Sequence, residues 1–118
     1  MGVEVIKHAR AVVRVTGEID IANVAELESA LDQAVEESPD GFVVDTSEVE
    51  YIDATGIKAI LRAWDRMHSG GGAVALVVSK IVRKIADLLG LEKLPCLLLF
   101  ESLDAALNAL TRGAGDQR

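Results

Sequence analysis

The residues best suited to chemistry stand in a row at Asp53-Ala54-Thr55-Gly56, where the apolar pair Tyr51-Ile52 passes into a helical pattern. An aspartate at such a junction accepts hydrogen bonds from the unpaired N–H groups of a helix's first turn. Thr55 places a hydroxyl within a turn of the same end. Gly56 allows another backbone to come close, at an intrinsic cost of about 0.5–1 kcal/mol relative to alanine. Two readings fit these four residues: an ordinary capped helix with a tightly packed glycine, or a surface made for a partner. Other candidates are weaker. Asp45 and Asp53 could do general acid–base work if strand and loop brought them together, but no nucleophile or second cluster accompanies them. Gly70-Gly71-Gly72 follows a helix and precedes a strand, the reverse of a phosphate-binding loop. His8 and His68 are isolated, and no Cys/His cluster suggests a metal. Cys96 opens the apolar run Cys96–Phe100 and reads as a small buried hydrophobe rather than a nucleophile. The expectation is a protein that is not an enzyme and uses no cofactor or metal.

Composition narrows the class further. The 118 residues suit one domain, and with 50% hydrophobic but only 3% aromatic residues the core must be built from Val, Leu, Ile and Ala. A net charge of -7 argues against nucleic acid, whose phosphates need a basic face. It favours a soluble monomer and a protein partner carrying a basic patch. One cysteine cannot form an internal disulfide, which points to a reducing compartment. Met1–Glu4 lacks the pattern of a secretion signal, and Ile6 replaces the hydroxyl residue of a myristoylation motif. No apolar run nears the ~20 residues that span a bilayer. A cytoplasmic location without membrane insertion is expected.

Hydrophobic periodicity supplies the elements that position the candidate residues. Val3–Ile6 and Ala11–Val15 read as two strands of a hairpin, with Thr16-Gly17 as the turn that ends the second. Ile21–Glu37 has Val24, Leu27, Leu31 and Val35 on one face and reads as a helix capped by Asp20 or Asn23. Ser38-Pro39-Asp40-Gly41 stops it. Phe42–Asp45 reads as a central strand and Thr46–Glu50 as a polar loop. Ala54–His68 is a helix with the stripe Ile57, Ile60, Leu61 and Trp64, closed by Ser69–Gly72. Ala73–Val78 is a strand, Ile81–Leu89 a helix stopped by Gly90, and Leu97–Phe100 a strand. Ser102 caps a final helix to about Leu110. Residues 1–112 are expected to form the domain and 113–118 a disordered tail. The alternation predicts an α/β fold with a mixed, mostly parallel sheet of about five strands and about four helices.

Several segments, taken in order, resemble the STAS domain family, and more narrowly its bacterial anti-sigma factor antagonists. They are Gly17-Glu18-Ile19-Asp20, Val43–Ser47, Tyr51–Ile57, Gly70–Gly72, Leu88–Leu91 and Phe100–Leu107. The resemblance covers nearly the whole chain and implies a STAS-type fold. It implies binding to an anti-sigma factor that is also a serine/threonine protein kinase, and hence control of sigma-factor-dependent transcription. The binding residues it implies are Asp20, Ile21, Asn23, Asp53, Ala54, Thr55, Gly56 and Lys58. In the family the kinase phosphorylates the antagonist at this helix start, the complex breaks, and a phosphatase restores it. The charge of about -1.5 to -2 that a phosphate adds is tolerable at a helix N-terminus but not against a surface built for a neutral hydroxyl.

One position departs from the family pattern. The usual phosphoacceptor serine directly follows the aspartate, and here that residue is Ala54. Either Thr55 takes the phosphate or this member is not switched in the usual way. A second role on the same fold is the accessory subunit of a lipid-transporting ABC system, and a third is a STAS scaffold not controlled by phosphorylation.

Overall fold

The computed structural model describes residues 1–7 and 10–116. Its order is β1 (Gly2–Lys7), β2 (Ala11–Ile19), α1 (Val24–Glu37), β3 (Gly41–Ile52), α2 (Ala54–Ser69), β4 (Ala73–Val77), α3 (Lys80–Leu89), β5 (Leu97–Phe100) and α4 (Leu103–Asp116), with a 3-10 turn at Leu91–Lys93. The five strands lie side by side in chain order. The β1–β2 pair is antiparallel, and the β2–β3, β3–β4 and β4–β5 pairs are parallel. This is the mixed, mostly parallel sheet with four helices that the alternation predicts. The tip of the predicted hairpin, His8-Ala9, lies outside the described residues.

Chain-ordered strands settle where the helices go. The three crossovers all step the same way across the sheet, so with right-handed connections α1, α2 and α3 share one face. Strand alternation agrees. Val13, Val15, Phe42, Val44, Val74 and Leu76 join the large core cluster with Leu27, Leu31, Ile60, Val82 and Ala86 of those helices. Their neighbours Val12, Val43, Ala75 and Val77 point the other way and pack under Ala106 and Leu110 of α4. Continuous apolar runs in β3 and β4 thus reflect strands covered on both faces.

Several boundaries differ from the sequence expectation. Strand β2 does not end at Thr16-Gly17. It continues to Ile19 beside β3, with register shifts around residue 15 and after Gly17, whose φ of 83° absorbs the irregularity. Thr46–Glu50 is not a loop but lies within the twelve-residue strand β3. The stripe of α2 is wider than expected and adds Gly56, Ala59, Ala63 and Met67. Helix α4 runs six residues beyond Leu110, to Asp116. Cys96 is exposed, not buried. It sits with φ 65° at the turn before β5, which takes its side chain out of the sheet's alternation.

Candidate functional site: an acid-capped helix start beside a locked turn

Parallel strands β2 and β3 end together, with Ile19 opposite Ile52. The site is built from the two segments that leave these strand ends: the turn Asp20–Asn23 after β2 and the start of α2 after β3. The backbone joins them directly, since the Asp53 N–H donates to the Ile19 carbonyl at 3.1 Å.

Asp53 is the N-cap of α2, in extended conformation (φ -95°, ψ -176°). Its Oδ1 accepts from the Thr55 N–H at 2.9 Å, the Thr55 hydroxyl at 2.5 Å and the Gly56 N–H at 3.3 Å. These bonds hold its carboxyl below the usual aspartate range. The Thr55 hydroxyl contributes most, partial desolvation opposes it, and the N–H groups of Gly56, Thr55 and Ile21 add to the lowering. A lowered folded-state value means that ionised Asp53 stabilises the fold above the unfolded value, and that this contribution is lost as pH falls through the folded one. Asp53→Asn keeps an acceptor oxygen but cannot ionise. The difference in Tm between the natural protein and Asp53→Asn should therefore be flat near pH 7 and shrink below about pH 4, measured by thermal melts across pH. A gap that widens on acidification would contradict this geometry.

The turn after β2 is not the first turn of α1, as its apolar spacing suggests. Asp20 and Asn23 spend their side chains locally instead of capping the helix. The Asn23 Oδ1 accepts from the Asp20 N–H at 3.0 Å, and the Asn23 Nδ2 donates to the Glu18 carbonyl at 3.0 Å. The Asp20 Oδ1 accepts from the Ala22 N–H at 3.0 Å, and the Asp20 carbonyl accepts from Asn23 and Val24 N–H. Helix α1 therefore starts at Val24 without a side-chain cap from Asn23.

The site residues face in different directions. Ala54 and Lys58 are exposed, as is Ile21, while Asp20, Asn23, Asp53 and Thr55 are half-buried. Gly56 is buried. A Cβ there would lie 2.7 Å from Ile52 Cγ1 and 2.8 Å from Ile19 Cγ2. The close approach that Gly56 permits is therefore between α2 and its own strands, not with an outside backbone. Ile19 and Ile52, which seat the helix start, have no chemical signature of their own. The signal that could have found them is the glycine, whose missing side chain implies bulk opposite. Lys58 leads into a shallow groove of about 270 Å³ with Leu61, Arg62 and Asp65. A second groove, of about 330 Å³, runs between α1 and α2 and is crossed by the ion pairs Arg62–Glu28 at 2.9 Å and Arg66–Asp32 at 2.7 Å.

Asp45 and Asp53 do not meet. They stand eight residues apart on an extended segment, roughly 25 Å at about 3.3 Å per residue. Asp45 is buried and accepts from the Ser47 N–H at 3.0 Å. The acid–base pair considered from the sequence is therefore not formed. Among the described residues, no three His, Cys, Asp or Glu side chains gather to hold a metal ion, and no helix is long and apolar enough to cross a membrane.

Sheet order, helix placement and an acid-capped helix start tied to the preceding turn define a class of small α/β domains with one end closed by hydrogen bonds. The chain belongs to the STAS domain family, whose model matches residues 2–106. It is 29% identical over 107 residues to the anti-sigma-F factor antagonist RsfB of Mycobacterium tuberculosis, covering 91% of this chain and 86% of that protein. A solved anti-sigma factor antagonist from Mycobacterium paratuberculosis is 32% identical, with a TM-score of 0.79 and 93% of each chain covered. The anti-sigma factor antagonist SpoIIAA in its unphosphorylated form shares the fold at 16% identity, with a TM-score of 0.69 over 95% of this chain and 97% of that one.

Proposed function

We propose that this protein is an anti-sigma factor antagonist that acts by binding and not by catalysis. Its partner is an anti-sigma factor of the serine/threonine kinase type, and binding frees the sigma factor to direct transcription in the cytoplasm. The contact surface comprises Asp20, Ile21 and Asn23 of the turn together with Asp53, Ala54, Thr55 and Lys58 of the helix start. Gly56 acts beneath it by seating α2.

The observation that carries this reading is the convergence of both segments on Asp53. Its backbone N–H holds the end of β2, and its carboxylate holds the Thr55 hydroxyl and the first turn of α2. Chain-long similarity to proteins that bear the antagonist name supports the same conclusion. Thr55 is the candidate phosphoacceptor, because Ala54 offers no hydroxyl at the exposed position before it. A phosphatase would reverse the modification.

Two measurements test the proposal. Calorimetry against the anti-sigma factors encoded in the same genome should find at least one with a Kd of about 1 µM or below, some -8 kcal/mol of binding free energy. No complex with any of them would overturn the antagonist role. Incubation with the kinase and ATP, followed by mass spectrometry, should place the phosphate on Thr55. Phosphate elsewhere, or none, removes Thr55 from that role and leaves a binder that is not switched in this way.

A further inference from the structure

We infer that Ile21 is the apolar anchor of the recognition surface, that Asn23 is the positioning residue that holds it preformed, and that the partner surface it fits is an apolar pocket with a basic rim. The inference rests on the proposed antagonist role and deepens it by naming the chemistry of the partner.

Exposure alone would not single out Ile21. Ile21 is 76% exposed, but Leu88 at the end of α3 is 80% exposed, and lone apolar side chains on a surface are ordinary. What distinguishes Ile21 is its backbone. It sits inside a turn closed by the Asn23 side chain at two points, to the Asp20 N–H and the Glu18 carbonyl, and by the Asp20 Oδ1 on the Ala22 N–H. The turn also abuts the end of β2, where Asp53 donates to Ile19. An isoleucine carried on a locked backbone loses little freedom on docking, which is the condition for an anchor to yield affinity. The surroundings set the sign of the rim. Glu18, Asp20, Glu50 and Asp53 all lie within three residues of the two strand ends and outnumber the exposed Lys58 of the helix start, and Glu18 stands beside the half-exposed Tyr51. A basic rim on the partner would complement these charges and speed encounter.

The test uses the full chain and the anti-sigma factor that it binds. Ile21→Ala should raise Kd by about tenfold or more, mainly through faster dissociation. Asn23→Ala should slow association about threefold or more, because the turn must then be ordered during docking. In the free Asn23→Ala protein the Ile21 amide should exchange its hydrogen faster, with Tm lowered by only several degrees for the two lost hydrogen bonds and the domain still folded. Leu88→Ala, on the surface of α3, should leave Kd within about twofold. Raising salt from about 0.05 M to 0.5 M should slow association of the natural protein, since charges are then screened within a few ångströms. Natural binding with Ile21→Ala unchanged, or with Leu88→Ala as damaging, overturns the anchor and leaves the antagonist role standing. An Asn23→Ala protein with natural association rate and exchange overturns the positioning role. Association that ignores salt overturns the basic rim. A natural chain that binds no anti-sigma factor overturns the antagonist role, and this inference with it.

Discussion

Replacing Gly56 with alanine is expected to lower stability by about 1–3 kcal/mol, although alanine is the better helix former. At an open helix position that exchange would gain about 1 kcal/mol. Here the added methyl meets Ile52 Cγ1 at 2.7 Å, Ile19 Cγ2 at 2.8 Å and Ile52 Cδ1 at 2.9 Å. Two of these atoms branch directly from Cβ, so they can give way only by a χ1 rotation into the packed core or by a shift of β2 or β3. Both isoleucines are buried, so the strain passes into the core. Tm should fall by roughly 4–12 °C. Gly70→Ala is the control, because a Cβ there meets nothing nearer than 3.6 Å and the φ of Gly70 is negative. If Gly56→Ala melts at or above the natural protein, α2 is not seated on Ile19 and Ile52 as described. The same variant should also weaken partner binding, because lifting α2 moves Asp53, and Thr55 with it, away from the turn to which Asp53 is tied.

The second large effect is expected at Thr55. Its hydroxyl donates to the Asp53 Oδ1 at 2.5 Å, so the group that would receive a phosphate is also part of the cap. Phosphorylation removes that donor and adds about -1.5 to -2 charge beside a carboxylate held ionised by the helix start. Like charges this close repel, the more so where the helix start keeps water away and the less where water screens them. Asp53 must then leave the cap or the new charge must turn outward toward the partner, and either outcome spoils the surface. Thr55→Glu is expected to raise Kd for the anti-sigma factor about 30-fold or more, and Thr55→Val only a few-fold, since valine loses one hydrogen bond but adds no charge. Calorimetry on both variants separates the two causes. A valine variant as weak as the glutamate one would assign the effect to the lost hydrogen bond, and a glutamate variant that binds like the natural chain would sink the charge switch.

Much of this architecture was legible in the sequence, for identifiable reasons. The uninterrupted runs at Phe42–Val44 and Ala73–Val77 exposed the doubly covered strands, and Gly90 marked the end of α3 because it adopts the left-handed conformation, φ 69°. Asp53 as cap followed from residue type and position. The misreadings share one physical cause: local irregularity hides periodicity. The second half of β3 repeats exposed, exposed, buried from Ser47 to Ile52, because register shifts against β2 break the two-residue alternation. Gly17 looked like a turn because its positive φ serves a bulge instead. At Ile21-Ala22 helical spacing misled, because the Asp20 and Asn23 side chains compete with the helix for the backbone. The buried face of α2 was drawn too narrow because alanines such as Ala59 and Ala63 carry little hydrophobic signal while filling narrow gaps.

The antiparallel strand β1 has a practical consequence. Pairing of Gly2 with Thr16 brings the start of the chain alongside Gly17, where a Cβ would lie 3.5 Å from Met1 Cα, only three residues before Asp20. Helix α4 runs the other way, and its Leu110 packs by Gly41 at the far end of β3. The two termini are thus unequal as points of attachment. A purification tag, fluorophore or surface tether joined ahead of Met1 would crowd the turn that carries Ile21, whereas one joined beyond α4 would leave that end of the domain uncovered.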